Sequence, residues 1–434
     1  MIRNRKIGPV LATALVASNM VGSGLFLLPA TLATVGSITV FGWLIATVGA
    51  LLVASTLARL GQVSPQAGGP CAYADEALGR YMGFQSTTIY WLSCWTGNIA
   101  IAVAATGYLA SFFTALIDPL TGSLATVALI WLLTLINIYG ARLVCKLESV
   151  AIVLGLIPIV LVATLGWRYF DGGLLLASWN VQQLPATTVI PESLVLVFWA
   201  FTGLESASVA ASVIENPQRN VPIATIAGVL LAAVVYIAST TVIMGLIPAR
   251  ELATSSAPFA DAIRLMLGPA AGALFAVMVL IKAIGTLGGW ILLTAQTGKA
   301  GADRGLFPAV FGQVDRHGIA VPNLLIMAVI MTVVVFATAS PTLGQQFGKL
   351  IEISAIFCLL VYVYAALAVW HYDRQAQPPR GFNRHQVVAA LAIVFCLWVI
   401  VKSGDGLLIW SGCTLAVTAL LYPLIARRAV LASP

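Results

Sequence analysis

Pro9 to Val35 reads PVLATALVASNMVGSGLFLLPATLATV, an apolar run without a single charged side chain. It exceeds the roughly 20 residues that one helical crossing of a bilayer needs. Near its middle stands Gly22-Ser23-Gly24, followed by Pro29. A glycine lowers helix propensity by about 1 kcal/mol relative to alanine, and one such site in a membrane helix commonly reflects only close packing. A second interruption, Thr202-Gly203-Leu204-Glu205, follows the aromatic run Phe198-Trp199-Ala200-Phe201 in the stretch 190–213. Counted along the chain, the two interruptions fall in the first and sixth apolar stretches, at matching positions of two five-span halves. Paired breaks of this kind point to a transporter with its site near the membrane midplane.

The rest of the chain supports that frame. Its 434 residues would suggest about three soluble domains on length alone. With 60% hydrophobic and 9% charged residues, against about 25% charged in ordinary globular chains, separate water-soluble domains are excluded. Spans are predicted near 9–35, 39–60, 84–115, 121–140, 147–168, 190–213, 221–247, 268–298, 320–340, 345–370, 386–402 and 406–426, with short polar joins. The runs are continuous, so a β-barrel is excluded and helices are required to satisfy the backbone. The expected fold class is therefore all-α integral membrane, with about twelve transmembrane helices. One transmembrane domain over 1–434 is expected, with repeat one near 9–170, repeat two near 190–372 and extra helices near 384–428.

With the N-terminus and its Arg3, Arg5 and Lys6 placed in the cytoplasm, sixteen Lys and Arg collect on that side and four on the other. The positive-inside rule then sets both termini in the cytoplasm. The net charge of +7 is thus mostly topology, and no loop is long enough to offer a basic face to nucleic acid. His317, His371 and His385 fall in predicted cytoplasmic loops, which argues against an intramembrane metal cage. The six cysteines form no CxxC pair and read as small apolar residues. The first apolar run is too long for a cleavable signal peptide and lacks a cleavage site.

The breaks have definite chemistry. A half-helix beginning after Ser23 would present free N–H groups and a positive dipole end, suiting a carboxylate. A half-helix ending near Trp199-Ala200 would present carbonyls, suiting an ammonium. One beside the other matches the backbone of an α-amino acid.

Asn19-Met20-Val21-Gly22-Ser23-Gly24, Trp199-Ala200-Phe201-Thr202-Gly203-Leu204-Glu205-Ser206 and Glu215-Asn216-Pro217-Gln218-Arg219-Asn220-Val221-Pro222 resemble the basic amino acid/polyamine antiporters of the amino acid–polyamine–organocation superfamily. The third-span string Tyr90-Trp91-Leu92-Ser93-Cys94-Trp95-Thr96-Gly97-Asn98-Ile99-Ala100 and Gly285-Thr286-Leu287-Gly288-Gly289-Trp290 most closely resemble the bacterial arginine/agmatine antiporters. The resemblance implies a LeuT-like five-plus-five inverted repeat with helices 1 and 6 broken, plus two extra helices. It also implies a multi-pass protein of the bacterial inner membrane, a homodimer paired through the last two spans, and no cofactor. Ser23 and Gly24, with Met20 in the same set, would meet the substrate carboxylate. Carbonyls around Trp199, Ala200 and Thr202 would meet its α-amino group. Trp290 would stack on a guanidinium, with Asn98, Cys94, Ser93 and Ser354 around its end. Trp199 would cover the site from the periplasmic side, while Tyr90, Glu205 and Tyr362 would close it toward the cytoplasm.

The ionisable groups read as intramembrane are Glu205, Lys282 and Glu352, with Lys349 toward a span end. Charge in a span costs at least about 2.5–3.5 kcal/mol, so such residues are functional by default. Lys282 and Glu352 depart from the family pattern and are expected either to compensate each other as a buried pair or to tune specificity. The leading expectation is exchange of external arginine for internal agmatine in acid resistance. The alternatives are another pair, lysine/cadaverine or ornithine/putrescine, or a proton-coupled amino acid permease, although the fifth span lacks a charge between Ile152 and Trp167. An intramembrane enzyme would need clustered His, Asp or Glu near one face, and a channel would need a charged ring or filter; the sequence shows neither.

Overall fold

The computed structural model describes residues 6–21, 25–65, 69–316, 318–375 and 383–431. Within them the chain is helical, and its one extended contact is an isolated bridge between Ile7 and Ile214. In order the helices are α1 (Pro9–Met20), α2 (Leu28–Ala33), α3 (Thr39–Val63), α4 (Pro70–Leu78), α5 (Arg80–Ala110), α6 (Pro119–Tyr139), α7 (Ala141–Leu165), α8 (Gly172–Ala177) and α9 (Ala186–Trp199). They continue with α10 (Ser206–Val209), α11 (Pro217–Met244), α12 (Ala249–Leu252), α13 (Pro258–Leu267), α14 (Pro269–Asp303), α15 (Val321–Ala337), α16 (Leu343–Gln375), α17 (Arg384–Lys402) and α18 (Asp405–Leu431). Among the described residues nine helices are long and apolar enough to cross a membrane, and α1, α9 and α15 are shorter apolar helices. Counting the broken runs once each, these account for the twelve predicted stretches.

Local chemistry sets the helix starts. Proline occupies the first turn of α1, α4, α6, α11, α13 and α14, where its missing N–H costs nothing. Asp118 caps α6 by accepting from the amides of Leu120 and Thr121, each at 3.1 Å, and Asn383 caps α17 through His385 and Gln386.

The packing repeats when the halves are exchanged. α5 packs along α16 as α14 packs along α7, and α1 meets α11 as α9 meets α3. The joins carry more structure than the short polar connections expected, because several of them fold into helices, α4 and α13 the longest. α4 packs on α5 and α16, and α13 packs on α14 and α7. Gly83 of α5 lies against Asp75 of α4, whereas the Phe259 amide of α13 donates to the Tyr108 hydroxyl of α5 at 3.4 Å. Those contacts sit at opposite ends of a 31-residue helix, about 46 Å long at 1.5 Å per residue. Equivalent elements of the two halves therefore lie at opposite ends of α5, as an inverted repeat requires.

Burial is graded across the bundle. Nearly all of α5 is enclosed, whereas α18 is almost bare, with Trp410 and Leu420 exposed. In a bilayer such apolar exposure faces lipid. At the end of α5 that carries Arg80, here the basic side, Arg59 of α3 reaches Asp373 of α16 at 2.7 Å. Their side chains are 10% and 1% exposed, and Asn383 also donates to Asp373. Removing one member of a buried pair costs about 3–5 kcal/mol, because the survivor is stranded. Asp373→Ala is expected to lower the unfolding temperature in detergent clearly, and Arg59→Met combined with Asp373→Leu to restore most of it.

Candidate functional site

The first crossing breaks as expected. α1 ends at Met20, residues 25–27 turn, and α2 starts only at Leu28. Ser23 and Gly24, expected to hold a carboxylate, lie outside the described residues. Met20 is buried at the end of α1. In the sixth crossing, α9 ends at Trp199 and residues 200–205 turn before α10. Gly203 adopts φ +100°, and a Cβ there would lie 3.4 Å from the Asn19 carbonyl. Glycine suits that backbone angle, which other residues rarely adopt. Asn19 completes the crossing of the two breaks by donating to the Ser206 hydroxyl at 2.8 Å.

Of the carbonyls expected to meet an ammonium, those of Trp199 and Ala200 already accept from the protein. The Tyr236 hydroxyl donates to the Ala200 oxygen at 3.0 Å. The Trp199 oxygen accepts from the Thr202 hydroxyl at 2.7 Å and from the Thr202 amide at 3.0 Å. A carbonyl without water must find some donor, and here the side chains supply it.

Beside the break in the sixth crossing, and between α5, α14 and α16, lies a small cavity of about 20 Å³. Its walls include Ser93, Cys94, Trp199, Thr202, Trp290 and Ser354 of the expected set, together with Tyr90 and Glu205. Gly97, Ile101 and Cys358 also line it and were not singled out from the sequence. Ala200 and Asn98 do not line it. Asn98 is buried, donating to the Thr294 hydroxyl at 3.0 Å with its own oxygen unpartnered. Ser93 and Ser354 tie α5 to α16 reciprocally: the Ser93 hydroxyl donates to the Ser354 carbonyl at 2.8 Å, and the Ser354 hydroxyl returns a bond at 2.9 Å.

Glu205 is 3% exposed and collects three donors. These are the hydroxyl of Tyr90 at 2.9 Å, the hydroxyl of Tyr362 at 2.7 Å and the amide of Gly203 at 3.1 Å. Tyr362 is therefore joined to the site through Glu205. Tyr90, Glu205 and Trp290 also line a second cavity, which shares Tyr90, Val209 and Leu293 with a third cavity running to Arg304. Glu205 thus stands between the central cavity and the basic side. At the other end Trp199 meets Phe347 edge-on, with centroids 5.5 Å apart. Beyond that layer a wider cavity holds Glu192, Lys349 and Glu352.

The expected pairing of Lys282 with Glu352 does not form. Lys282 of α14 lies on Gly155 of α7, where a Cβ would fall 2.2 Å from its Cγ, and the acid acting on it is Glu148. Glu352 faces the cavity on the opposite side. Position along the chain placed both in spans but left open which face each takes. Glu148 was missed because it sits one residue past the predicted start of the span, beside charges read as topology.

On the basic side Cys71 of α4 lines the third cavity, with its thiol 3.6 Å from the Ser86 carbonyl. Burial pushes that thiol up to about 12, and Glu205 adds to the rise. The thiolate is the reactive form, so protonation protects Cys71 below that value. Cys71 is expected to resist maleimide at pH 7 and 8 and to react measurably faster only as pH rises toward 10, read by mass spectrometry.

The family profile described as amino acid permease matches residues 7–412. The cadaverine/lysine antiporter of Escherichia coli (strain K12) is 38% identical over 90% of this chain and 88% of its own. The putrescine transporter PotE of the same strain is 34% identical over 98% and 97%, and PotE of Haemophilus influenzae is 33% identical over 98% of each. A profile spanning nearly the whole chain and relatives covered almost end to end agree with the broken-helix architecture: the chain belongs to the amino acid permease family of membrane transporters.

Proposed function

We propose that the protein is a secondary-active antiporter that takes up a basic amino acid and exports the diamine formed by its decarboxylation, lysine for cadaverine or ornithine for putrescine. The observation that carries this reading is the near full-length similarity to a cadaverine/lysine antiporter and to putrescine transporters. None of the relatives named above is an arginine/agmatine exchanger, so the pair favoured from the third-span string gives way to its alternatives. The site accords with this choice. Trp290 offers an aromatic face to an alkylammonium, an attraction of about 2 kcal/mol once desolvated. Glu205 is the buried carboxylate between the central cavity and the basic side, and a rocking bundle would expose the cavity to each side in turn. Ser23 and Gly24 keep their proposed carboxylate contact.

The charge asymmetry supports a cytoplasmic position for the basic side and both termini, and the bacterial relatives support an inner-membrane location. Pairing of two copies through α17 and α18 belongs to the same proposal. A proton-coupled permease is the second reading, favoured by one observation: Lys282 lies against the fifth crossing.

In proteoliposomes, uptake of labelled lysine or ornithine is expected to require cadaverine or putrescine inside. Uptake that ignores internal diamine and follows a proton gradient would overturn exchange in favour of the permease. Trp290→Leu is expected to weaken cadaverine binding by roughly tenfold or more, measured by calorimetry on the purified protein. Unchanged affinity would remove Trp290 from the site.

A further inference from the structure

Glu148 lies in the second turn of α7. Its carboxylate rests on the backbone of Gly289, where a Cβ would fall 2.5 Å from Oε2 and 2.6 Å from Oε1. The next residue is Trp290, in the wall of the central cavity. Glu148, Glu205, Tyr90 and Trp290 line one cavity on the basic side, so two carboxylates border one space beside the aromatic wall.

The two carboxylates are held differently. Glu205 receives three hydrogen bonds, whereas among the described residues no donor reaches Glu148. The charged group acting on Glu148 is Lys282, which is 2% exposed and packed over Gly155. No ion pair forms between them within 4 Å among the described residues, so Lys282 compensates the charge through space and leaves the carboxylate oxygens without donors. A half-buried carboxylate with a cationic neighbour but no donor is completed by a cation entering the cavity it lines.

We infer that Glu148 is a second cation-binding residue on the transport path, taking one ammonium of an α,ω-diamine whose other ammonium lies toward Glu205. This rests on the diamine-exchange reading above and adds a source of selectivity to it. A diamine carries a cation at each end and suits a cavity with two acids. An amino acid carries a carboxylate beside one of its ammonium groups, and that carboxylate is repelled there. The basic-side cavity is then a loading position that selects the diamine, while the amino acid enters from the opposite face. Gly289 is part of the device, since any side chain at that position would displace the carboxylate.

The test compares cadaverine with pentylamine, which has the same carbon chain and one ammonium, on the full-length protein in nanodiscs. The wild type is expected to bind cadaverine more tightly. Glu148→Gln is expected to lose about tenfold in cadaverine affinity, the scale of one charge-assisted hydrogen bond, and less than about twofold in pentylamine affinity. Because that substitution strands the Lys282 charge, the double variant Glu148→Gln/Lys282→Met serves as the charge-balanced control and is expected to show the same selective loss. Wild-type cadaverine affinity in the double variant, or equal losses for both amines, overturns the assignment. If the wild type exchanges cadaverine for lysine while both variants retain their selectivity, only the role of Glu148 falls. If the wild type binds no diamine at all, the exchange reading falls with it.

Discussion

Inside a bilayer a peptide group has no water to turn to, and the centre of this protein is organised by that fact. A continuous helix satisfies its own backbone; a broken one hands the problem to its neighbours. Here the sixth crossing is interrupted over 200–205, and the surrounding helices answer. Tyr236 takes the Ala200 carbonyl, Thr202 folds back onto Trp199, and Asn19 reaches across to Ser206. The interruption is thus sealed on one flank and open to a cavity on the other. That asymmetry leaves the break bordering open space instead of packed side chains on one flank.

Glu205 connects this interruption to the rest of the bundle. It sits in the broken segment and is held by tyrosines from α5 and α16, which the Ser93–Ser354 exchange already binds to each other. A change in the Glu205 contacts therefore alters how the broken helices meet the enclosed α5. The aromatic contact of Trp199 with Phe347 does the corresponding work toward the other face. One cavity is bounded by a polar layer on one side and an apolar layer on the other.

Much of this was legible in the sequence, for reasons that differ by residue. Gly203 advertises a backbone departure, and twelve apolar runs count the crossings, because both properties are local. Tyr90, Ser93, Cys94, Trp290 and Glu205, named from the sequence in two separate roles, gather around one cavity. What stayed hidden was rotational or long-range. The helices α4 and α13 are short segments carrying Asp, Glu or Arg, and their apolar faces emerge only against α16 and α7. Lys282 and Glu352 looked like partners because both lie in spans, yet helix rotation turns one toward Gly155 and the other into the opposite vestibule. The Ala200 carbonyl looked free because its partner, Tyr236, is distant in sequence.

The bridge between Ile7 and Ile214 is small, but it changes how the centre can move. The Ile7 amide donates to the Val213 carbonyl at 3.0 Å, and the Ile7 carbonyl accepts from the Glu215 amide at 2.9 Å. The residue leading into α1 is thereby fastened to the chain just beyond α10. Val16 of α1 also rests on Gly228 of α11, so the first crossing is anchored along its length to the segment that follows the sixth. The two broken helices are consequently tied to each other through these contacts. A rigid tilt of one would therefore have to carry the other.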